Sequence, residues 1–248
     1  MERELETNSG AAAPKISVVV PVYNEEESLY LLAQAVLGVM KRLVATYEII
    51  FVDDGSCDAT PEILRRLAAL SNAVRFLRFA RNCGQTAAMD AGFRAARGEI
   101  VVTLDADLQN DPSDIPRLLE KIGEFDVVIG WRRHRRDPWI RKISSRIANG
   151  VRNWGTGESV KDVGCSLKAY RRDFLDRVKL FDGMHRFLPS LLAMEGARIL
   201  EVEVSHHPRR YGKSKYGIRN RAFRALWDLA AVRWMKRRSL DYRIIEEG

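Results

Sequence analysis

The run Ile100-Val101-Val102-Thr103-Leu104 is largely apolar and β-branched, and it breaks at Asp105-Ala106-Asp107-Leu108-Gln109, two carboxylates one residue apart followed by an amide. An apolar run without polar alternation reads as a strand buried on both faces, which places it inside a parallel sheet. The carboxyl ends of such strands are where open α/β sheets hold ligands. Neither carboxylate has a basic neighbour in sequence, so their mutual repulsion calls for a cation from outside, and oxygen ligands suit Mg2+ or Mn2+. An ion there would in turn hold phosphates. The same stretch also satisfies a plain capping role, since Asp107, Asn110, Asp111 and Ser113 precede the apolar Ile115, Leu118 and Leu119.

The pattern repeats along the chain. A strand over 16–20 leads into Pro21-Val22-Tyr23-Asn24-Glu25-Glu26. Proline is expected to end the strand, Asn24 to cap a helix over 26–43, and Tyr23 to offer an aromatic face to a flat ligand such as a nucleobase. A second strand over 47–52 ends in Asp53-Asp54-Gly55-Ser56, again paired acids at a strand end, with Gly55 permitting a tight turn and Asp58 and Thr60 opening a helix. A carboxylate that accepts from a base N–H or from ribose hydroxyls would account for the first of these pairs. A third strand over 74–79 is followed by Arg81-Asn82-Cys83-Gly84-Gln85-Thr86 and a helix over 87–96 whose Ala88, Ala91, Gly92 and Ala95 let it lie close to a sheet. No GxGxxG follows any of these strands, which counts against a Rossmann dehydrogenase. Strand, polar loop and helix thus alternate as in an α/β fold, a mostly parallel sheet with helices on both faces.

The length of 248 residues suffices for one large α/β domain with a full core. The formal charge of +8 implies an anionic partner, which could be nucleic acid, nucleotide phosphates or an acidic membrane surface. Cys57, Cys83 and Cys165 have no CxxC or CxxH spacing, so neither a zinc site nor a disulfide framework is indicated, and a reducing cytosol fits. No apolar run approaches bilayer-spanning length, and 1–14 is polar without a signal-peptide core.

The ordered set Pro-Val-Tyr-Asn-Glu, Val-Asp-Asp-Gly-Ser, Asn-Cys-Gly-Gln and Asp-Ala-Asp-Leu-Gln resembles the family 2 glycosyltransferases of GT-A fold. That resemblance implies that Pro21, Tyr23, Glu25 and Asp53 or Asp54 bind a nucleotide-sugar donor. It also implies that Asp105, Asp107 and Gln109 bind Mg2+ or Mn2+ and the donor diphosphate. Beyond a fifth strand over 126–130, the basic run from Trp131 through Arg132, Arg133, Arg135 and Arg136 to Arg141, Lys142 and Arg146 follows directly from the strand edge, so arginines gripping a phosphate acceptor are favoured over a solvated face. Gly130-Trp131-Arg132, Ser144-Ser145-Arg146 and Asp162-Val163-Gly164-Cys165-Ser166-Leu167-Lys168-Ala169-Tyr170 extend the likeness to the dolichyl-phosphate mannosyltransferase and undecaprenyl-phosphate glycosyltransferase group. In that group, arginines at the positions of Arg132 and Arg146 hold the acceptor phosphate and Asp162 falls beside the sugar. With Asp107, these make the expected catalytic set. A basic loop, Arg209-Arg210-Tyr211-Gly212-Lys213-Ser214-Lys215, closes over donor phosphates in the resembled group, with Arg210, Ser214 and Lys215 the first candidates and Arg209 close behind. His206-His207 lacks a third ligand at metal spacing and reads as structural or phosphate-facing.

Over 218–238 the chain reads as one helix in which Phe223, Leu226, Trp227, Ala230 and Trp234 share a stripe while Leu229 and Val232 lie off it. Tryptophan with arginine on such a helix suits a membrane interface, which is the favoured reading; packing of the stripe on the catalytic domain or on a partner subunit is the alternative, and Leu229 and Val232 support extra burial. Many members of the resembled group continue into transmembrane hairpins, which this sequence does not. The expected organisation is a disordered tail over 1–14, a GT-A catalytic domain over 15–217, an amphipathic helix over 218–238 and a tail over 239–248. The expected activity is inverting, metal-dependent transfer of one sugar from GDP-mannose or a UDP-hexose to a polyprenyl phosphate, peripherally at the cytoplasmic membrane face, with an integral-membrane protein as a further candidate partner. Transfer to a sugar hydroxyl of a glycolipid or polysaccharide is the enzymatic rival, and would need Asp162 as base. A nucleic-acid-binding protein would leave the acidic strand ends unexplained, so no nucleic-acid partner is expected.

Overall fold

The computed structural model describes residues 13–133, 160–209, 219–240 and 246. Among these, seven strands form one sheet in the order β3-β2-β1-β4-β6-β5-β7. The strands are β1 (Ile16–Val22), β2 (Tyr47–Asp53), β3 (Val74–Arg78), β4 (Ile100–Thr103), β5 (Val127–Trp131), β6 (Lys168–Arg171) and β7 (Ile199–Glu203). The four strands β3, β2, β1 and β4 run parallel, β6 is antiparallel to both of its neighbours, and β7 is parallel to β5. Because β1 lies between β2 and β4, the crossovers on its two sides run in opposite directions, and the loops after β1, β2 and β4 open a crevice at the carboxyl edge.

Helices α1 (Leu29–Met40), α2 (Thr60–Leu70) and α4 (Ile115–Leu119) cover one face of the sheet, where Leu32, Val36, Leu64 and Leu118 pack against Val18, Val20 and Phe51. The other face carries α3 (Gln85–Ala95), α5 (Arg172–Leu175) and α6 (Leu188–Met194), which bury Met89, Phe93, Leu175 and Leu192 against Val19, Val101 and Tyr170. The sheet is sandwiched, so its strands read as apolar runs rather than as alternating patterns. The small residues of α3 do what their size suggests: a Cβ on Gly92 would stand 2.3 Å from Val19 Cγ1.

Two local expectations change. Pro21 does not end β1, which continues two residues to Val22. Pairing with β4 stops at Val19↔Thr103, and Val19 O accepts from Leu104 N, so the edge that Pro21 presents has no ladder left to break. Asn24 does not cap α1. It takes a left-handed φ of 50°, and its Oδ1 accepts from Cys57 N at 2.8 Å, lacing the first loop to the second.

The helix α7 (Arg219–Arg238) is anchored by Val232, fully buried, with Leu229 and Met235 packed against Met184, Phe187 and Leu191. Trp227 and Trp234 face away from this contact and are 69% and 64% exposed. The residues off the apolar stripe hold the helix down, and these two tryptophans of the stripe stay open. No helix among the described residues is long and apolar enough to cross a membrane.

Candidate active site

The loops at the carboxyl edge are held by bonds between them, which fixes the side chains that face the crevice. Asn24 N donates to Ser56 Oγ at 2.9 Å, Glu25 N to Thr60 Oγ1 at 2.9 Å and Ala59 N to Glu26 Oε2 at 2.8 Å, so the loops after β1 and β2 form one wall. Asp54 ties this wall to the loop before α3, accepting from Cys83 N at 2.6 Å, Gly84 N at 2.9 Å and Asn82 Nδ2 at 2.9 Å. Gly84, with φ of 95°, sits where few side chains would be tolerated. Asp53 points elsewhere: fully buried, it accepts from Ser56 N at 2.9 Å and lies 3.2 Å from Arg78 Nε. Of the two acids after β2, Asp54 lines the crevice and Asp53 braces the turn.

The opposite wall is the loop after β4. Asp105 N donates to Ser166 Oγ at 3.0 Å, that hydroxyl donates to Asn110 Oδ1 at 2.9 Å, and Thr103 Oγ1 donates to Ser166 O at 2.8 Å, so the turn before β6 clamps the acidic segment. Leu108 adopts a left-handed φ of 58°, an uncommon state for a leucine that brings Gln109 N onto Asp107 Oδ1 at 3.1 Å. The capping reading is met one step later, where Asp111 Oδ1 accepts from Ser113 N at 2.9 Å. His207 serves structure, its N donating to Gln109 O at 2.8 Å and its Nε2 lying 3.1 Å from Asp111 Oδ2.

Between the walls is a cleft of about 260 Å³ lined by Pro21, Tyr23, Glu25, Asp54, Asp105, Asp107 and Gln109 among others. Two more lining residues were not among the first candidates. Gln85, at the start of α3, donates from Nε2 to Asp105 Oδ1 at 2.9 Å. Arg209 places NH2 3.4 Å from Glu25 Oε1 and 3.6 Å from Asp107 Oδ2. Gln85 stands inside the Asn-Cys-Gly-Gln motif, so its position was marked in the sequence without a role. Arg209 and Arg210 could not be told apart by charge alone.

The electrostatics of the acidic pair are those of a site short of positive charge. Burial and then the neighbouring Asp107 push Asp105 up to about 6. Asp107 is also raised, by burial first and with Glu25 adding, although Gln109 N–H, Arg209 and His206 oppose the shift. Two desolvated carboxylates that resist ionisation together form an oxygen donor set suited to a hard divalent cation. Among the described residues no third His, Cys, Asp or Glu is placed to share an ion with them, so the remaining ligands would be the Gln109 amide, water and phosphate oxygens, as magnesium-type sites commonly have.

At the end of β5, Arg132 and Asp162 are bonded to each other. Arg132 Nε and NH2 reach Asp162 Oδ2 and Oδ1 at 2.8 and 2.9 Å, and Arg132 N donates to Oδ2 at 3.2 Å. Both side chains are more than nine-tenths buried. The remaining candidates, Arg146, Arg210, Ser214 and Lys215, lie outside the described residues.

A crevice at the switch point of a mostly parallel sheet, with an acidic pair among its lining residues, is the arrangement of a GT-A architecture. The profile of glycosyl transferase family 2 matches residues 17–179, and the chain belongs to that family. It is 43% identical over 237 residues to dodecaprenyl-phosphate galacturonate synthase of Rhizobium johnstonii, covering 93% of this chain and 70% of that one. It is 45% identical over 206 residues to undecaprenyl-phosphate 4-deoxy-4-formamido-L-arabinose transferase of Proteus mirabilis, covering 82% of this chain and 63% of that one. The chain therefore spans only about two thirds of these relatives' length. In fold it is similar to glucosyl-3-phosphoglycerate synthase of Mycobacterium tuberculosis in complex with Mn2+, UDP-glucose and phosphoglyceric acid, with a TM-score of 0.68, 19% identity and coverage of 89% of this chain and 80% of that one.

Proposed function

We propose that this glycosyltransferase moves one sugar from a nucleoside-diphosphate donor to a polyprenyl phosphate at the cytoplasmic membrane surface. The observation that carries the reading is the gathering of Tyr23, Glu25, Asp54, Asp105, Asp107 and Arg209 around one cleft, in a chain whose relatives at 43% and 45% identity are named for sugar transfer to polyprenyl phosphates. Tyr23 and Asp54, which line the cleft, are proposed to meet the base and ribose. Asp105 and Asp107, with Gln109, would hold Mg2+ or Mn2+, whose charge when bound neutralises the departing nucleoside diphosphate. Gln85 holds the orientation of Asp105 from the start of α3. Arg209, which lines the cleft beside Glu25 and Asp107, is proposed to add a guanidinium to the same leaving group, and Arg210, Ser214 and Lys215 to close over it.

The acceptor half follows from the Arg132–Asp162 pair. Both oxygens of Asp162 already accept N–H donors from Arg132. A hydroxyl acceptor needs a carboxylate open to its proton, whereas a phosphate monoester, with a second pKa of about 6, is already largely dianionic near neutrality and attacks without a base. The engagement of Asp162 therefore favours phosphate over a sugar hydroxyl. Arg132 and Arg146 are proposed to face that phosphate, and attack opposite the leaving group inverts the anomeric centre. The open Trp227 and Trp234, on a helix ending in Lys236, Arg237 and Arg238, are proposed to seat 219–238 on an anionic lipid surface.

The test is a detergent assay with Mn2+ and a panel of radiolabelled GDP- and UDP-sugars, offering polyprenyl phosphate or the matched polyprenol. Label should enter lipid only with the phosphate. Equal labelling of the polyprenol would return the hydroxyl reading.

A further inference from the structure

Lys168 opens β6 at the same strand edge, opposite Thr103 of β4 and Ile129 of β5. It is only 5% exposed, and it sits beside carboxylates that other side chains already hold. Its charged neighbours are Asp162, Asp105 and Arg132, within electrostatic range and each already engaged, Asp105 by Gln85 and Asp162 by Arg132. Holding an ammonium at so little exposure, beside acids already engaged elsewhere, is costly, and an apolar residue of the same length would serve the core better. Its place in the sheet narrows what it waits for. The donor loops carrying Tyr23, Glu25 and Asp54 follow β1 and β2, on one side of β4. Lys168 lies on the other side, between Asp105 at the end of β4 and Arg132 at the end of β5.

We propose that Lys168 is an anion-binding residue of the acceptor half, donating to the phosphate monoester that attacks the sugar. The inference rests on the phosphate-acceptor reading and adds a named ligand to it. The two phosphate sources present during turnover, the acceptor monoester and the donor diphosphate, are separated by position: Lys168 is assigned to the first.

The test measures binding by calorimetry in detergent, with farnesyl phosphate, farnesol and UDP or GDP with Mn2+ as probes, on wild type, Lys168→Met, Lys168→Gln and Lys168→Arg. Wild type should bind farnesyl phosphate and not farnesol. Lys168→Met and Lys168→Gln should weaken farnesyl phosphate by about ten- to a hundred-fold, the loss of a charged hydrogen bond. Lys168→Arg should restore most of it. Nucleotide affinity should stay at the wild-type level, and the melting temperature of Lys168→Met should equal or exceed that of wild type. Unchanged farnesyl phosphate affinity in both neutral variants would overturn the assignment while leaving the acceptor class intact. Weakened nucleotide binding would move Lys168 to the leaving group, and a melting temperature lowered in both neutral variants together with nucleotide binding would make it a counter-charge for Asp105. Wild type that binds neither lipid, or both equally, would remove the acceptor reading itself.

Discussion

At the scale of single residues, the site trades stability for charge. Asp105 and Asp107 are desolvated and repel each other, and Asp105 stands near 6 rather than in the usual carboxylate range. Asp107→Asn removes that repulsion, so the metal-free variant should be more stable than wild type. It should also lose the rise in melting temperature that Mn2+ with UDP or GDP gives the wild type. Scanning fluorimetry with and without Mn2+ reads both effects, and a less stable variant that keeps its Mn2+ response would contradict the account. The acids at the strand ends were legible in the sequence because paired carboxylates after buried strands have few other uses. Their division of labour was not. Asp53 and Asp54 are identical in type, and only the fold turns one toward Arg78 and the other toward the α3 loop. The same holds for Arg132, whose burial against Asp162, thirty positions away, no local pattern announces.

At the scale of elements, the parallel half of the sheet was readable and the antiparallel insertion was not. β1, β2 and β4 are apolar runs that declare themselves, whereas β6, no shorter than β4, begins with Lys168 and ends with Arg171, and its place between β4 and β5 is set by pairing distant in sequence. The helix α3 shows how close the packing is. A methyl at Gly92 has no space beside Val19, so Gly92→Ala should cost about 1–3 kcal/mol despite the better helix propensity of alanine, measured by urea denaturation. An unchanged midpoint would mean that α3 shifts freely. On the C-terminal helix, Leu229 and Val232 pack on the domain as their place off the stripe suggests, while Trp227 and Trp234 of the stripe stay exposed. Replacing Trp227 and Trp234 together by Ala should reduce sedimentation with phosphatidylglycerol vesicles several-fold without lowering the melting temperature. Unaltered sedimentation would assign the open tryptophans to a protein partner.

At the scale of the whole molecule, the two edges of the sheet have different tasks. The carboxyl edge of β1, β2 and β4 gathers Asp54, Asp105 and Asp107, whose carboxyls burial pushes above the ordinary range. Near the start of β5 and β7, Asp126 Oδ2 instead accepts from Arg198 N and Nε at 2.9 and 3.1 Å. Burial works against the charge on Asp126, but Arg198's N–H groups and the charges of Arg198 and Arg171 outweigh it and hold the carboxyl below its ordinary value. A depressed carboxylate stabilises the fold fully above its unfolded pKa of about 3.9 and loses that contribution as pH falls through the lower folded value. Asp126→Asn should therefore be less stable than wild type at pH 7, and the difference should shrink toward pH 2 in thermal melts. A gap that persists at low pH would assign the bond's worth to shape rather than charge.

The central claim is that the acceptor nucleophile is a phosphate, and 31P NMR of a turnover mixture with polyprenyl phosphate, Mn2+ and the active nucleotide sugar reads it directly. The phosphomonoester signal should give way to a phosphodiester in step with release of the nucleoside diphosphate. Consumption of the donor with the monoester signal unchanged would mean that the sugar leaves for a hydroxyl or for water, and the acceptor reading would fail.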